Sequence, residues 1–204
     1  MASTSSTAHG KDLEATGLDA ILEEAWRILS EGSSKAASPY HIINVATVAA
    51  DRTPRIRSVV LRGFDKATRT LRFHTDTRSR KAAEIAATEA LGVHVYAKDE
   101  KIQLRMSCRA TIHHDDEISR DAWRATRLMS RECYSQAEAP GTVVASPESV
   151  AFDESENLEG AYVNFAAVLA KIETLEWLYL SAAGHRRARF DWHDSVSSQV
   201  WLAP

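Results

Sequence analysis

The feature that most limits what this chain can fold into is a succession of short β-type runs separated by turn residues. Residues 41–49 are apolar and β-branched, Asp51-Arg52-Thr53-Pro54 reads as a turn, and 55–63 is a second run. A turn at 65–68 leads into 70–75, where Leu71 and Phe73 alternate with polar residues. These three runs predict an antiparallel meander. Further strands are expected at 90–97, 102–114, 163–172, 175–180 and 187–192. The run at 102–114 is long enough to bend around a barrel. About six strands with turn signals between them, plus a few helices, indicate a β-barrel with helical decoration.

Helices are signalled in three places. Leu18, Ile21, Leu22, Ala25, Trp26 and Leu29 recur at helical spacing, and Gly32 reads as a stop. Ser79 stands where an N-cap belongs, ahead of Arg80-Lys81-Ala82-Ala83-Glu84-Ile85. A third helical stretch holds Ile118, Ala122 and Trp123, and 135–159 reads as a long surface loop. Residues 1–16 are expected to be a disordered arm, and 17–204 a single domain: 204 residues at 44% apolar content can bury one substantial core.

Charge and cysteine usage remove several classes of function. A formal net charge of −3 argues against bulk nucleic acid or an anionic membrane as the main partner, and no segment has the apolar length of a membrane span. The start of the chain lacks the basic and apolar regions of a secretory leader, and Cys108 and Cys133 fit neither a disulfide framework nor a metal motif. A reduced, cytoplasmic protein is expected. His113-His114-Asp115-Asp116 has no metal-ligand spacing, because consecutive strand residues face opposite ways, so no metal site is expected. Of the 25 basic residues 7 are Lys and 18 are Arg, the residue suited to bidentate contact with phosphate and carboxylate.

Three motifs in the first half could carry chemistry. Arg57-Ser58-Val59-Val60-Leu61-Arg62 lies on a strand that bears a cation near each end, with Arg57, Val59 and Leu61 on one face and Ser58, Val60 and Arg62 on the other. Phe73-His74-Thr75 ends another strand. Ser79-Arg80-Lys81 opens a helix, where backbone N–H groups and the positive end of the helix dipole join two cations to make an anion site.

In order and spacing, these motifs together with Gln103 resemble the FMN-binding signature of the pyridoxamine-5′-phosphate oxidase family. The resemblance implies a six-stranded antiparallel split barrel and a homodimer with FMN at its interface. It implies phosphate contacts from Arg57, Arg80 and Lys81, and phosphate or ring contacts from Thr75 and Gln103. The rest of the segment from Ser58 to Arg62, with His74 and Ser79, lines the same cofactor site. Ser130-Arg131-Glu132-Cys133-Tyr134-Ser135-Gln136 is similar to the family's substrate-phosphate clasp, and Arg189-Phe190 to its second FMN-contacting Arg and the aromatic after it. The family also has an aromatic near the flavin at Trp177 or Tyr179, and the sequence leaves that choice open. The closing Leu202-Ala203-Pro204 resembles the family's ending.

The substrate half departs from the pattern. Arg62 stands for the family's Lys, Arg127 for its Tyr, and His185-Arg186-Arg187 for its Arg-x-His. Arg62, Arg127, Arg131 and Ser135 then surround the substrate space and favour a small anionic donor. The resemblance thus implies an FMN-dependent oxidoreductase on a divergent branch, with hydride passing to FMN and no residue standing out as the catalytic base. Two alternatives remain at this stage: a non-catalytic FMN-binding or electron-transfer protein, and a barrel that has exchanged FMN for another anionic ligand.

Overall fold

The structure is a computed structural model that describes residues 17–151, 158–193 and 196–204. The expected N-terminal arm at 1–16 lies outside the described residues. Among the described residues nine strands share one antiparallel sheet: β1 (Ile42–Val48), β2 (Pro54–Val60), β3 (Gly63–Asp65), β4 (Thr70–Asp76), β5 (Ala90–Ala97), β6 (Ile102–His113), β7 (Phe165–Tyr179), β8 (Arg186–His193) and β9 (Val196–Leu202). Seven follow the path β2-β1-β5-β6-β7-β4-β3, while β8 pairs with β7 and β9. The expected count of six is therefore corrected.

The meander over the first strands is also corrected. β1 pairs with β2 and β3 with β4, but β2 and β3 end opposite edges of the path. Only Leu61 and Arg62 separate them in the chain. Leu61 N–H donates to the His41 carbonyl at 2.9 Å and Arg62 N–H to the Arg72 carbonyl at 2.8 Å, so this short link draws the two edges together. That is how the sheet closes into a split barrel, and it puts the Arg57–Arg62 motif on the seam.

Two of the expected strands fuse into the 15-residue β7. On β6 the register passes from Ser107↔Thr174 to Cys108↔Ile172, which leaves Glu173 as an extra, unpaired residue. Glu173 and Thr174 are both only part-buried, whereas Ile172 and Leu175 are fully buried. A bulge puts two outward residues in succession, and in the sequence that looks like a break.

Alternation along each strand fills the barrel with Ile43, Val45, Leu71, Phe73, Val93, Leu104, Met106, Ile172, Trp177 and Phe190, all buried. Helix α1 (Leu18–Ser34) closes one end, burying Ile21, Ala25, Trp26, Ile28 and Leu29. It runs through Gly32 instead of stopping there. A Cβ on Gly32 would lie 2.5 Å from the Tyr40 carbonyl oxygen, so this glycine serves close packing. Helix α2 (Arg80–Thr88) packs near β1 and β6, with Ser79 as N-cap accepting from the Ala82 N–H. Helix α3 (Glu117–Ala125) opens on a capping box between Asp116 and Ser119. It leads to the short α4 (Leu128–Arg131). Trp123, Tyr162 and Phe165 form a second apolar cluster against the outer face of β7. No helix among the described residues is long and apolar enough to cross a membrane.

Candidate functional site

The seam and the start of α2 bring Arg57, Thr75, Ser79 and Lys81 together. Lys81 Nζ donates to Thr75 Oγ1 at 2.6 Å, and the Thr75 and Ser79 hydroxyls are 3.0 Å apart. Burial lowers the Lys81 pKa, and the nearby Arg57 charge lowers it further, against a smaller opposing effect of Asp76. No carboxylate bonds to Lys81 among the described residues. A part-buried ammonium, a second cation, two hydroxyls and the N-terminus of a nine-residue helix thus converge. That donor set fits a phosphate monoester such as the one FMN carries. Arg80 is exposed beside it.

Beneath this cluster lies Glu84, a carboxylate the sequence did not single out. It is 7% exposed and accepts from Arg55 at 2.8 Å, from Arg57 at 3.3 Å and from the Thr47 hydroxyl. Arg57 Nη1 also donates to Thr47 Oγ1 at 2.5 Å. Burial alone would raise the Glu84 pKa, but Thr47 and the two guanidiniums together hold it below its ordinary value.

The rest of the motif divides by face. Ser58 Oγ donates to Asn44 Oδ1 at 2.9 Å on the outer face, Val59 and Leu61 pack into the core, and Val60 is half-buried. Arg62 lies past the end of β2 and reaches the Ser130 hydroxyl at 3.5 Å. His74 packs edge-on against Phe165, ring centres 4.8 Å apart, and its buried Nε2 has no partner. Burial, then the charges of Arg72 and Arg62, push its pKa down to about 3.

Gln103 and Arg189 lie elsewhere. Gln103 shares the outer face with its neighbours Tyr96 and Leu178, while Arg57 faces inward beside Val45. Two strands, β1 and β5, lie between them, and the three inter-strand spacings put them roughly 14 Å apart across the sheet. Arg189 is on the outer face of β8, donating to Asp191 at 2.7 Å. Trp177 and Tyr179 stack at 6.0 Å on the inner side, so Leu178, between them, is the residue beside Gln103.

The four residues expected around the substrate are not brought to one point. Arg127 is exposed. Arg131 is engaged structurally: it donates to the Thr126 carbonyl at 3.1 Å, the Trp123 carbonyl at 3.0 Å and Glu159 at 2.9 Å, with its guanidinium 4.7 Å above the Trp123 ring. It caps the carbonyl end of α3. Ser135 bonds locally to the Glu132 carbonyl at 2.9 Å. Arg78, not anticipated from the sequence, ties this segment down. It holds Asp76 at 2.8 Å and donates to the carbonyls of Gln136 and Ala137, each at 3.1 Å.

Residues 23–114 match the family model described as pyridoxamine 5′-phosphate oxidase, FMN-binding domain. The chain is 26% identical over 167 residues to the Arabidopsis thaliana pyridoxine/pyridoxamine 5′-phosphate oxidase 2, covering 76% of this chain and 83% of that one. A pyridoxamine 5′-phosphate oxidase-related, FMN-binding protein from Nostoc punctiforme superposes with a TM-score of 0.70 at 22% identity, over 89% of this chain and 96% of that one. PhzG from Burkholderia lata, solved with tetrahydrophenazine-1-carboxylic acid, also gives 0.70 at 16% identity, over 93% and 94%. Residues 23–114 are therefore similar to the FMN-binding domain family of pyridoxamine 5′-phosphate oxidase, and the described strands share the split-barrel fold of the proteins on which they superpose.

Proposed function

We propose that this protein is an FMN-dependent oxidoreductase that takes hydride from a small anionic donor. The observation that carries the proposal is the convergence of Arg57, Lys81, Thr75 and Ser79 on the first turn of α2. These groups would hold the FMN phosphate. β2 pairs only with β1 in the described sheet, so its second backbone edge is open to the polar rim of a planar ring. When bound, FMN supplies the hydride-accepting chemistry. The protein's share is anchoring, orientation and the positive charge of Arg62 at the seam.

Gln103 and Arg189, if they serve the same cofactor, must come from a second copy, since they face away from the phosphate cluster. A homodimer pairing outer faces supplies them. Ile42, Val48, Ile56, Tyr96 and Val200, each at least 41% exposed, give that face its apolar content, and a trough of about 280 Å³ crosses it past His94, Arg105 and Glu176. The unpaired Cys108 and Cys133 fit a cytoplasmic setting. An anionic donor is in keeping with the Arabidopsis relative, named for a phosphate ester, and with the carboxylic acid bound by PhzG.

The first test is FMN binding followed by flavin absorbance. Lys81→Ala is expected to weaken FMN at least tenfold, about 1.4 kcal/mol, and to leave riboflavin, which lacks the phosphate, unchanged. Equal FMN affinity in variant and wild type would mean that the phosphate lies elsewhere. A second reading, an electron-transfer flavoprotein without an organic donor, draws on the engagement of Arg131 with α3. Reduction of the flavin by an amine or carboxylate donor under anaerobic conditions favours the oxidoreductase, and reduction by a redox partner alone favours the second reading.

A further inference from the structure

We infer that Arg62, Arg72 and His74 form an oxyanion subsite that binds the carboxylate or phosphate of the donor, in place of the Arg131-centred clasp. The inference rests on the function proposed above and assigns the substrate-recognising groups of the same site.

The placement follows from the strand period. Arg72 and His74 are two apart on β4 and share one face, bordered across β7 by Leu169 and Ala167. Arg72 also pairs with Gly63 on β3. The missing Cβ at Gly63 lets the Arg72 side chain lie across β3: its Nε is 3.2 Å, and one terminal nitrogen 3.4 Å, from where that Cβ would be. So laid down, the guanidinium reaches the Arg62 carbonyl at 3.3 Å. Both arginines stand near enough to His74 for their charges to act on it.

This cluster lacks compensation. Among the described residues no carboxylate pairs with Arg62 or Arg72, whereas Arg55 and Arg57 share Glu84. Asp76, next on the same face of β4, is taken by Arg78. Arg72 Nε and His74 Nε2 are both buried without a partner. Orphaned buried nitrogens and unpaired cations are costly, and a bound oxyanion offsets both. The neutral imidazole adds a hydrogen-bonding nitrogen with no charge of its own. Arg131, by contrast, has its donors committed to α3 and Glu159.

The test uses the FMN-loaded protein titrated separately with benzoate and phenyl phosphate, followed by flavin absorbance and calorimetry. Wild type is expected to bind at least one of them, and the tighter probe identifies the anion class. Arg72→Met is expected to weaken that probe at least tenfold and His74→Phe several-fold, while Arg72→Lys recovers part of the loss. FMN affinity and melting temperature, measured in parallel, separate a lost subsite from a lost fold. Wild type binding neither probe, or Arg72→Met binding as tightly as wild type, overturns the inference while FMN uptake leaves the proposed function standing. If the protein takes up no FMN, the proposed function fails, and calorimetry of the flavin-free protein with the same probes still decides the subsite.

Discussion

Glu84 shows how an acid can belong in the proposed phosphate site. Its carboxylate fixes Arg55 and Arg57 before any ligand arrives, at the cost of placing a negative charge under an anion site. Because its folded pKa is depressed, its stabilising effect is full above the ordinary carboxylate range, near pH 4.3, and is lost as pH falls through the lower folded value. Glu84→Gln is therefore expected to lower stability by roughly 2 kcal/mol at pH 7, with a gap from wild type that closes in acid. Urea midpoints of both proteins at pH 7 and pH 3 check this, and an equal gap at both values counts against it. His74 acts with the same sign by a different route. Its pKa is depressed to about 3, so below about pH 6.5 the unfolded chain takes up a proton that the folded one refuses. Stability then drops by about 1.4 kcal/mol per pH unit, and His74→Phe is expected to flatten that slope between pH 6.5 and 4. A variant with the wild-type slope would show that another group sets it. Arg57, Thr75, Ser79 and Lys81 were legible as a set because each lies in a short motif with its own local geometry. Glu84 was not, because its pairing with Arg57 spans 27 positions and arises only when α2 packs beside β1.

At the scale of elements, alternation identified the strands where one face is buried, and β5 matches the expected limits of 90–97. It failed at Glu173, where a bulge repeats an outward position and mimics a gap. It also missed β9, whose described residues are mostly exposed and carry little pattern. Gly32 was misread for a related reason: a glycine late in a helix has the same letter whether it ends the helix or admits a neighbour. Here the neighbour is Tyr40, whose carbonyl carbon would lie 2.9 Å and carbonyl oxygen 2.5 Å from an added Cβ. Backbone cannot give way as a side-chain tip can, so Gly32→Ala is expected to cost roughly 2 kcal/mol despite the better helix propensity of alanine. The melting temperature should fall by about 4–8 °C. A melting temperature at or above wild type would mean that α1 shifts freely on the barrel.

For the whole molecule the question is where a cofactor site ends. The proposed phosphate cluster lies on the inner side of the seam, and Gln103 and Arg189 on the outer face, so one copy of the chain cannot turn both sets toward one ligand. Sequence order ran these residues together as a single signature because a motif records neither face nor subunit. Two copies related by a twofold axis would present each phosphate cluster to the other's outer face, making two equivalent shared sites. Light scattering should then give a dimer, and a clean monomer would remove the shared site. A sharper test combines two defective chains. Lys81→Ala alone and Gln103→Ala/Arg189→Ala alone each damage both sites of their homodimers. In a heterodimer purified through two different tags, both lesions fall in one site and the other site is whole. FMN should then bind one site per heterodimer with wild-type affinity. If each chain built its site from its own residues, every site in the mixture would carry one lesion and no tight binding would return.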